Sequence, residues 1–96
     1  MSLNRYAKQR DANEQPIVQA LRSAGCDVFL QDTPFDLLVW QRRFKRWHVL
    51  EVKRPKGKLN LRQRQIVRQL GDGAVEVVRT PIEALQAVGI AVEGGE

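Results

Sequence analysis

Residues 36–53 read DLLVWQRRFKRWHVLEVK, and this stretch decides the fold. Two runs of aliphatic, β-branched and aromatic residues flank a basic stretch, a pattern typical of two antiparallel strands joined by a turn. A turn at the centre of the basic stretch sets Trp40 opposite Trp47 and Asp36 opposite Glu51. A slip of one residue would send the two acids to opposite faces of the sheet, so the register decides whether they meet.

The sequence before this hairpin predicts a helix and a short strand. Apolar residues recur at helical spacing at Ile17, Val18, Leu21 and Ala24. Gly25 is a good cap, so the helix ends there. Pro16 fits the first turn of a helix that starts near Ala12 or Asn13, and the alternative is a longer, kinked helix from about Asn4. Residues 28–30 are the strand candidate.

The sequence after the hairpin predicts a helix, a strand and a last helix. Asn60 and Gln63 have the spacing of a capping box, which predicts a helix from there to about Leu70. Residues 74–78 form an apolar strand candidate. Thr80 is followed by Pro and, three residues on, by Glu, which opens a last helix to about residue 88.

The order α-β-β-β-α-β-α predicts an α/β fold, with one mixed β-sheet flanked by helices. The connection from the second hairpin strand through the capped helix to the last strand is long enough for a crossover, so we expect that pair to be parallel. At 96 residues the chain is too small for a second core. We therefore expect a single domain spanning residues 1–96.

Composition excludes several classes of protein. One Cys and one His cannot form an internal disulfide or a four-ligand zinc site, so any metal must be a hard, oxygen-ligated one. Apolar runs are shorter than the ~20 residues that span a bilayer, and the N-terminal residues lack the apolar core of a signal peptide. We therefore expect a cytoplasmic protein that does not contact membranes.

Positive charge is concentrated in residues 42–68. This window holds 11 of the 16 basic residues, and Glu51 is its only acid. A solvent-exposed surface usually carries both positive and negative charges. This window therefore favours a polyanion partner over a basic surface that serves only solubility, and nucleic acid is favoured over a membrane surface.

Asp36 and Glu51 form a candidate metal site inside this basic window. Opposed residues have Cβ atoms about 4.5–5.5 Å apart, so the two carboxylates repel unless a cation lies between them or one is protonated. A divalent metal is the simplest solution, and solvated acids at strand ends are the alternative. Lys53 lies on the same face about 6.6 Å further along, where it could contact a phosphate oxygen or help deprotonate a water.

These residues resemble a known family. Asp36, fourteen residues and then Glu51-Val52-Lys53 match the PD-(D/E)XK nuclease motif, and the chain is similar to the small VRR-NUC branch of phage and bacterial nucleases. Glu14, at the start of the first helix, and Gln63 match two further family positions, and the resemblance covers roughly residues 14–85. The departure is Phe35, inserted between Pro and Asp where the family has Gly-x-Pro-Asp, which leaves Asp32 as a weaker candidate ligand.

The resemblance implies a restriction-endonuclease-like fold and a Mg²⁺- or Mn²⁺-dependent DNA endonuclease. In the family pattern Asp36, Glu51 and the backbone carbonyl of Val52 hold the metal, and Glu14 supports it directly or through water. Lys53 attends the attacking water, and Gln63 is a further catalytic position. Resemblance to the stand-alone members implies a homodimer that acts on branched DNA, such as a four-way junction, in repair or recombination in a bacterial or phage-infected cell.

Several of these residues also have simpler structural interpretations. Glu14 could only favour the positive end of its helix, and Gln63 could only complete the capping box. His48 is expected on the face away from the acids. Trp40 and Trp47 are expected to pack in the core or an interface rather than to stack on bases.

Eight basic residues are the candidate DNA contacts: Arg42, Arg43, Lys45, Arg46, Arg54, Lys56, Lys58 and Arg62. A solvated hairpin tip is the alternative for the first four. The alternative to an enzyme is a non-catalytic DNA-binding module that keeps the nuclease fold, and a third possibility is a membrane-surface or RNA-binding protein.

Overall fold

A computed structural model describes residues 10–92. It contains three helices and four strands: α1 Glu14–Ser23, β1 Cys26–Leu30, β2 Leu37–Gln41, β3 Arg46–Val52, α2 Leu61–Leu70, β4 Glu76–Val78 and α3 Pro81–Ala87. This is the predicted order, and the mixed α/β class is confirmed. Residues 10–13 are not helical, so α1 starts close to the predicted Ala12–Asn13 position, and the alternative start at Asn4 lies outside the described residues.

The four strands form one sheet in the order β1-β2-β3-β4. β1, β2 and β3 are antiparallel neighbours, and α2 crosses over so that β4 runs parallel to β3, as predicted. In the central hairpin Trp40 pairs with Trp47 and Leu38 with Val49. The predicted register is therefore confirmed. Asp36, the residue before β2, contacts Glu51.

Two strand boundaries differ from the sequence predictions. β1 begins at Cys26, two residues early, because Cys26 is buried and pairs with Gln41. β4 begins at Glu76, two residues late. Gly71 and Gly73 adopt positive φ values of 102° and 86°, so the turn that they open takes up residues 74 and 75 before pairing with β3 starts.

The core lies between one face of the sheet and the helices α1 and α3. Alternate residues of β2 face it, and Leu37 and Val39 are fully buried. Ile17 and Leu21 of α1 belong to the same core cluster, and Leu50 adds a second strand, β3. Burial of each such side chain contributes roughly 1.5–3 kcal/mol. Because side chains alternate along a strand, the residues packed under the helices determine which residues of β2 and β3 point to the other face.

α2 lies over the other face of the sheet and covers it only in part. Its Ile66 and Leu70 line a cavity of about 250 Å³ together with Leu38 and Val49. Gln63 is the one residue of α2 that is buried. Among the helices of residues 10–92, none is long and apolar enough to cross a membrane.

His48 faces the helices, away from the acids, as predicted. It pairs with the buried Val39 and lines a cavity at the end of α3 beside Ala87. Partial burial lowers the pKa of His48, the nearby Arg46 lowers that pKa further, and Glu76 opposes the change. The imidazole is therefore held neutral in the folded protein more strongly than in the unfolded chain.

This shift predicts a specific loss of stability in mild acid. An unfolded histidine has a pKa of about 6.5, so below that pH the unfolded chain binds the proton more readily than the fold does. We expect the free energy of unfolding of the wild type to fall as the pH drops below about 6.5. Urea unfolding of wild type and His48→Gln on both sides of that pH measures this effect. The variant should show a weaker pH dependence, and an identical dependence would contradict the role of His48.

Candidate functional site

The end of the central hairpin brings Asp36 and Glu51 together. The backbone N–H of Asp36 donates to Oε1 of Glu51 at 2.9 Å, and the N–H of Val52 donates to Oδ2 of Asp36 at 2.8 Å. Both acids are buried, with 5% and 2% of their surface exposed. Each carboxylate thus accepts a hydrogen bond from the other strand, and the two acids meet as the sequence predicted.

Lys53 lies beside this pair. Its Nζ is 3.2 Å from Oε2 of Glu51, and its side chain is about one-fifth exposed. Lys53 and Glu51 also line a cavity of about 570 Å³, together with Arg62 from the first turn of α2. The cavity is therefore lined by two acids, the buried Glu51 and the mostly exposed Asp32, and by two cations that can hold a phosphate group close to Glu51.

Gln63 forms the capping box of α2 and also contacts the loop before Asp36. Its backbone N–H donates to Oδ1 of Asn60 at 2.8 Å, and its Oε1 accepts from the N–H of Asn60 at 3.1 Å. Its Nε2 donates to the carbonyl of Pro34 at 2.9 Å. The capping interpretation is confirmed, and the second contact ties α2 to the loop that carries Asp36. A catalytic role for Gln63 stays a prediction.

Glu14 reaches the acids through an arginine that the sequence analysis missed. Oε2 of Glu14 is 2.9 Å from Nη1 of Arg10, and the same nitrogen is 3.9 Å from Oδ1 of Asp36. Nη2 of Arg10 donates to the carbonyl of Gln31 at 2.8 Å. The guanidinium therefore lies between two buried carboxylates. Arg10 precedes α1, so its spacing from Glu14 is not a helical i,i+4 signal and the sequence alone does not reveal the pair.

Asn13 fixes the start of α1 beside the acids. Its Nδ2 donates to the carbonyls of Lys53 and Arg79, each at 3.1 Å. These bonds join the residue before Glu14 to the ends of β3 and β4. Asn13 is a second positioning residue that the sequence analysis did not identify, because its partners are distant in the chain.

The loop before β2 settles the positions of Asp32 and Asp36. Asp32 is mostly exposed, and its Oδ1 lies 3.7 Å from Nη2 of Arg10. Phe35 is 4% exposed and lines the apolar cavity beneath α2. Asp36, rather than Asp32, contacts Glu51.

The predicted ligand set is not assembled in this conformation. Among residues 10–92, no group of three or more His, Cys, Asp and Glu side chains is arranged to hold a metal ion. In this structure Asp36 and Glu51 each accept a backbone N–H, and Glu14 is paired with the Arg10 guanidinium. The structure brings Glu14, Asp36, Glu51, Val52 and Lys53 to one place, but a cationic side chain separates Glu14 from Asp36.

The candidate DNA contacts lie at two ends of the hairpin. Arg43, Lys45 and Arg46 are exposed at the tip, with Arg42 paired to Asp27 by hydrogen bonds of 2.7 and 2.9 Å. The hydrogen bonds from Arg42 hold the pKa of the Asp27 carboxyl below its usual range. The length of β2, about 16 Å at 3.3 Å per residue, separates this tip from the acids.

The second basic group lies beside the acids. Arg54, Lys56 and Lys58 are exposed in the loop that follows β3. Arg79 holds this loop, because its Nη2 donates to the carbonyl of Gly57 at 2.9 Å. These three cations follow directly after Lys53 in the chain, whereas Arg62 lines the cavity itself.

Comparison of the chain with protein-family models, curated proteins and solved structures found no match. The resemblance to the VRR-NUC branch therefore rests on the sequence motifs quoted above.

Removal of Arg10 should destabilise the protein. In Arg10→Ala the buried Glu14 loses an ion pair beside a second carboxylate, so we expect the free energy of unfolding to fall by about 1–3 kcal/mol. Denaturant unfolding at neutral pH measures the change, and Arg68→Ala, an exposed arginine on α2, is the control. Equal stability of the two variants would show that Arg10 does not stabilise the acids.

Proposed function

We propose that this protein is a divalent-metal-dependent DNA endonuclease with a restriction-endonuclease-like fold, which hydrolyses phosphodiester bonds. The observation that carries the proposal is the contact between Asp36 and Glu51 across the hairpin, with Lys53 Nζ 3.2 Å from Glu51. Two buried acids, with a lysine beside a cavity that Arg62 also lines, combine the groups that phosphodiester hydrolysis needs.

The donor atoms at this site suit Mg²⁺ or Mn²⁺. Both prefer oxygen ligands, and the site offers two carboxylates from adjacent strands. Asp36, Glu51 and the backbone carbonyl of Val52 would hold the ion, with Glu14 supporting it directly or through water. When bound, such an ion lowers the pKa of a bound water and stabilises the charge that develops on the phosphate.

The residues of the chain have separate tasks in this proposal. Lys53 binds a phosphate oxygen or orients the attacking water, because its ammonium is held by Glu51 at the wall of the cavity. Arg62, in the first turn of α2, contacts the phosphate. Gln63 positions the loop that carries Asp36 through its bond to the carbonyl of Pro34.

The exposed cations bind the DNA backbone. Phosphate contacts supply affinity without sequence information, so the proposed contacts at the tip and around the site predict binding that weakens steeply as salt rises. Branched DNA as the substrate, a homodimer as the active form and the cytoplasm of a bacterial or phage-infected cell as the location follow from the VRR-NUC resemblance. The small surface of one copy supports two copies acting together on a duplex.

A non-catalytic DNA-binding module is the second candidate. It is favoured by the position of the Arg10 guanidinium, 2.9 Å from Glu14 and 3.9 Å from Asp36, where a cationic side chain already compensates the two acids. Such a module would keep the fold and the basic surface, and it would bind DNA equally well with or without divalent metal.

A cleavage assay separates the two candidates. We expect the wild type to cut supercoiled plasmid or a four-way junction with Mg²⁺ or Mn²⁺ and to lose activity in EDTA. Asp36→Asn removes a proposed metal ligand and Lys53→Met removes the group that orients the attacking water, so each should slow cleavage by about 10²-fold or more. Asp72→Asn, an exposed acid in the turn before β4, is the matched control and should cut like wild type.

Two results would contradict the proposal that this protein is a nuclease. One is cleavage by Asp36→Asn at the wild-type rate, which would assign the activity to a contaminant. The other is DNA binding by the wild type without cleavage of either substrate in either metal, which would establish the binding module.

A further inference from the structure

Three aromatic rings form a cluster on the sheet face that α1 and α3 do not cover. Phe29 of β1, Trp40 of β2 and Trp47 of β3 contribute the rings. The centroid of Trp47 lies 6.1 Å from that of Phe29 and 5.0 Å from that of Trp40. With Asp27 they line a shallow cavity of about 180 Å³. We call these three residues the aromatic cluster.

The aromatic cluster is not part of the core. Trp47 is 55% exposed and Phe29 is 49% exposed, whereas the buried core residues lie on the opposite face. Of the two places expected for Trp47, the core is therefore excluded, and an interface stays a prediction. Its position opposite Trp40 places it on the outer face, where α2 does not reach. Large aromatic side chains left half exposed together on a small domain mark a binding surface.

The charges around the aromatic cluster favour a polyanion as its ligand. Asp27, the acid at its edge, is paired with Arg42 at 2.7 Å. Arg43, Lys45 and Arg46 follow at the hairpin tip, and within residues 10–92 none of the three lies within salt-bridge distance of an acid. Exposed rings beside uncompensated cations are the combination with which proteins bind single-stranded nucleic acid.

We propose that the aromatic cluster is a stacking site for unpaired bases of single-stranded DNA, with Arg43 and Lys45 contacting the neighbouring phosphates. Every base has an apolar face that can stack on an indole or phenyl ring, so this site does not require a particular sequence. The choice of DNA rests on the proposed function, whereas the stacking itself needs neither metal nor cleavage.

The aromatic cluster and the acids lie on the same face of the hairpin. Trp47 and Glu51 are four residues apart on β3, so their side chains point to the same side about 13 Å apart. α2 lies over Val49, between the cluster and the acids on this face, so a strand stacked at the cluster reaches Lys53 only by passing around α2.

Binding of a short oligothymidine in EDTA tests this site. Tryptophan fluorescence quenching and the anisotropy of a labelled oligonucleotide report the affinity without cleavage. We expect Trp47→Ala and Phe29→Ala each to weaken binding to oligothymidine about tenfold, and Trp47→Phe to weaken it less, because the ring remains. Binding to a duplex of the same length should change little. Ile82→Ala removes an exposed apolar side chain on α3 and should match wild type.

Three results would overturn the inference. The first is a wild type that does not bind oligothymidine, and the second is unchanged affinity in both Trp47→Ala and Phe29→Ala. The third is a Trp47→Ala variant that becomes monomeric in sedimentation from a dimeric wild type and loses single-strand and duplex binding equally, since the cluster would then be covered by a second copy. Unfolding midpoints verify that the variants fold. The two proposals can fail separately. If the protein cuts no DNA but binds oligothymidine in a way that depends on Trp47, the nuclease proposal fails and the stacking site is supported.

Discussion

Two hydrogen bonds at the open end of the central hairpin determine the geometry of the whole site. The N–H of Asp36 donates to Glu51 and the N–H of Val52 donates to Asp36, so the backbone of each strand binds the acid of the other. An unpaired buried carboxylate is costly, and these bonds keep both acids in place at the edge of an apolar sheet. Lys53, Arg10 and the capping box of α2 are arranged around this pair.

The hairpin register explains why the contact between Asp36 and Glu51 could be predicted from the sequence. The basic stretch admits a tight turn at its centre, and the apolar runs on each side fix which residues face the helices. With Trp40 opposite Trp47, the positions of Asp36 and Glu51 follow. The capping box of α2 was predictable for a similar reason, since Asn60 and Gln63 contact each other locally.

Other features depend on contacts between distant parts of the chain, and the sequence gives little sign of them. Asn13 binds carbonyls at the ends of β3 and β4, and Arg10 joins Glu14 to the loop before β2. The exposure of Trp47 depends on how far α2 extends over the sheet, which periodicity within β3 does not reveal. The two faces of the sheet therefore differ in kind: packing against α1 and α3 governs one, and polar and aromatic groups open to solvent occupy the other.

The metal assignment is the central claim, because it separates an enzyme from a binding module with the same fold. A crystal structure of the wild type soaked with Mn²⁺, with an anomalous difference map, tests it most directly. We expect a peak coordinated by the carboxylates of Asp36 and Glu51 and by the carbonyl of Val52, and no peak in Glu51→Gln. A wild-type map without a peak at these residues, from crystals that still bind DNA, would contradict the assignment.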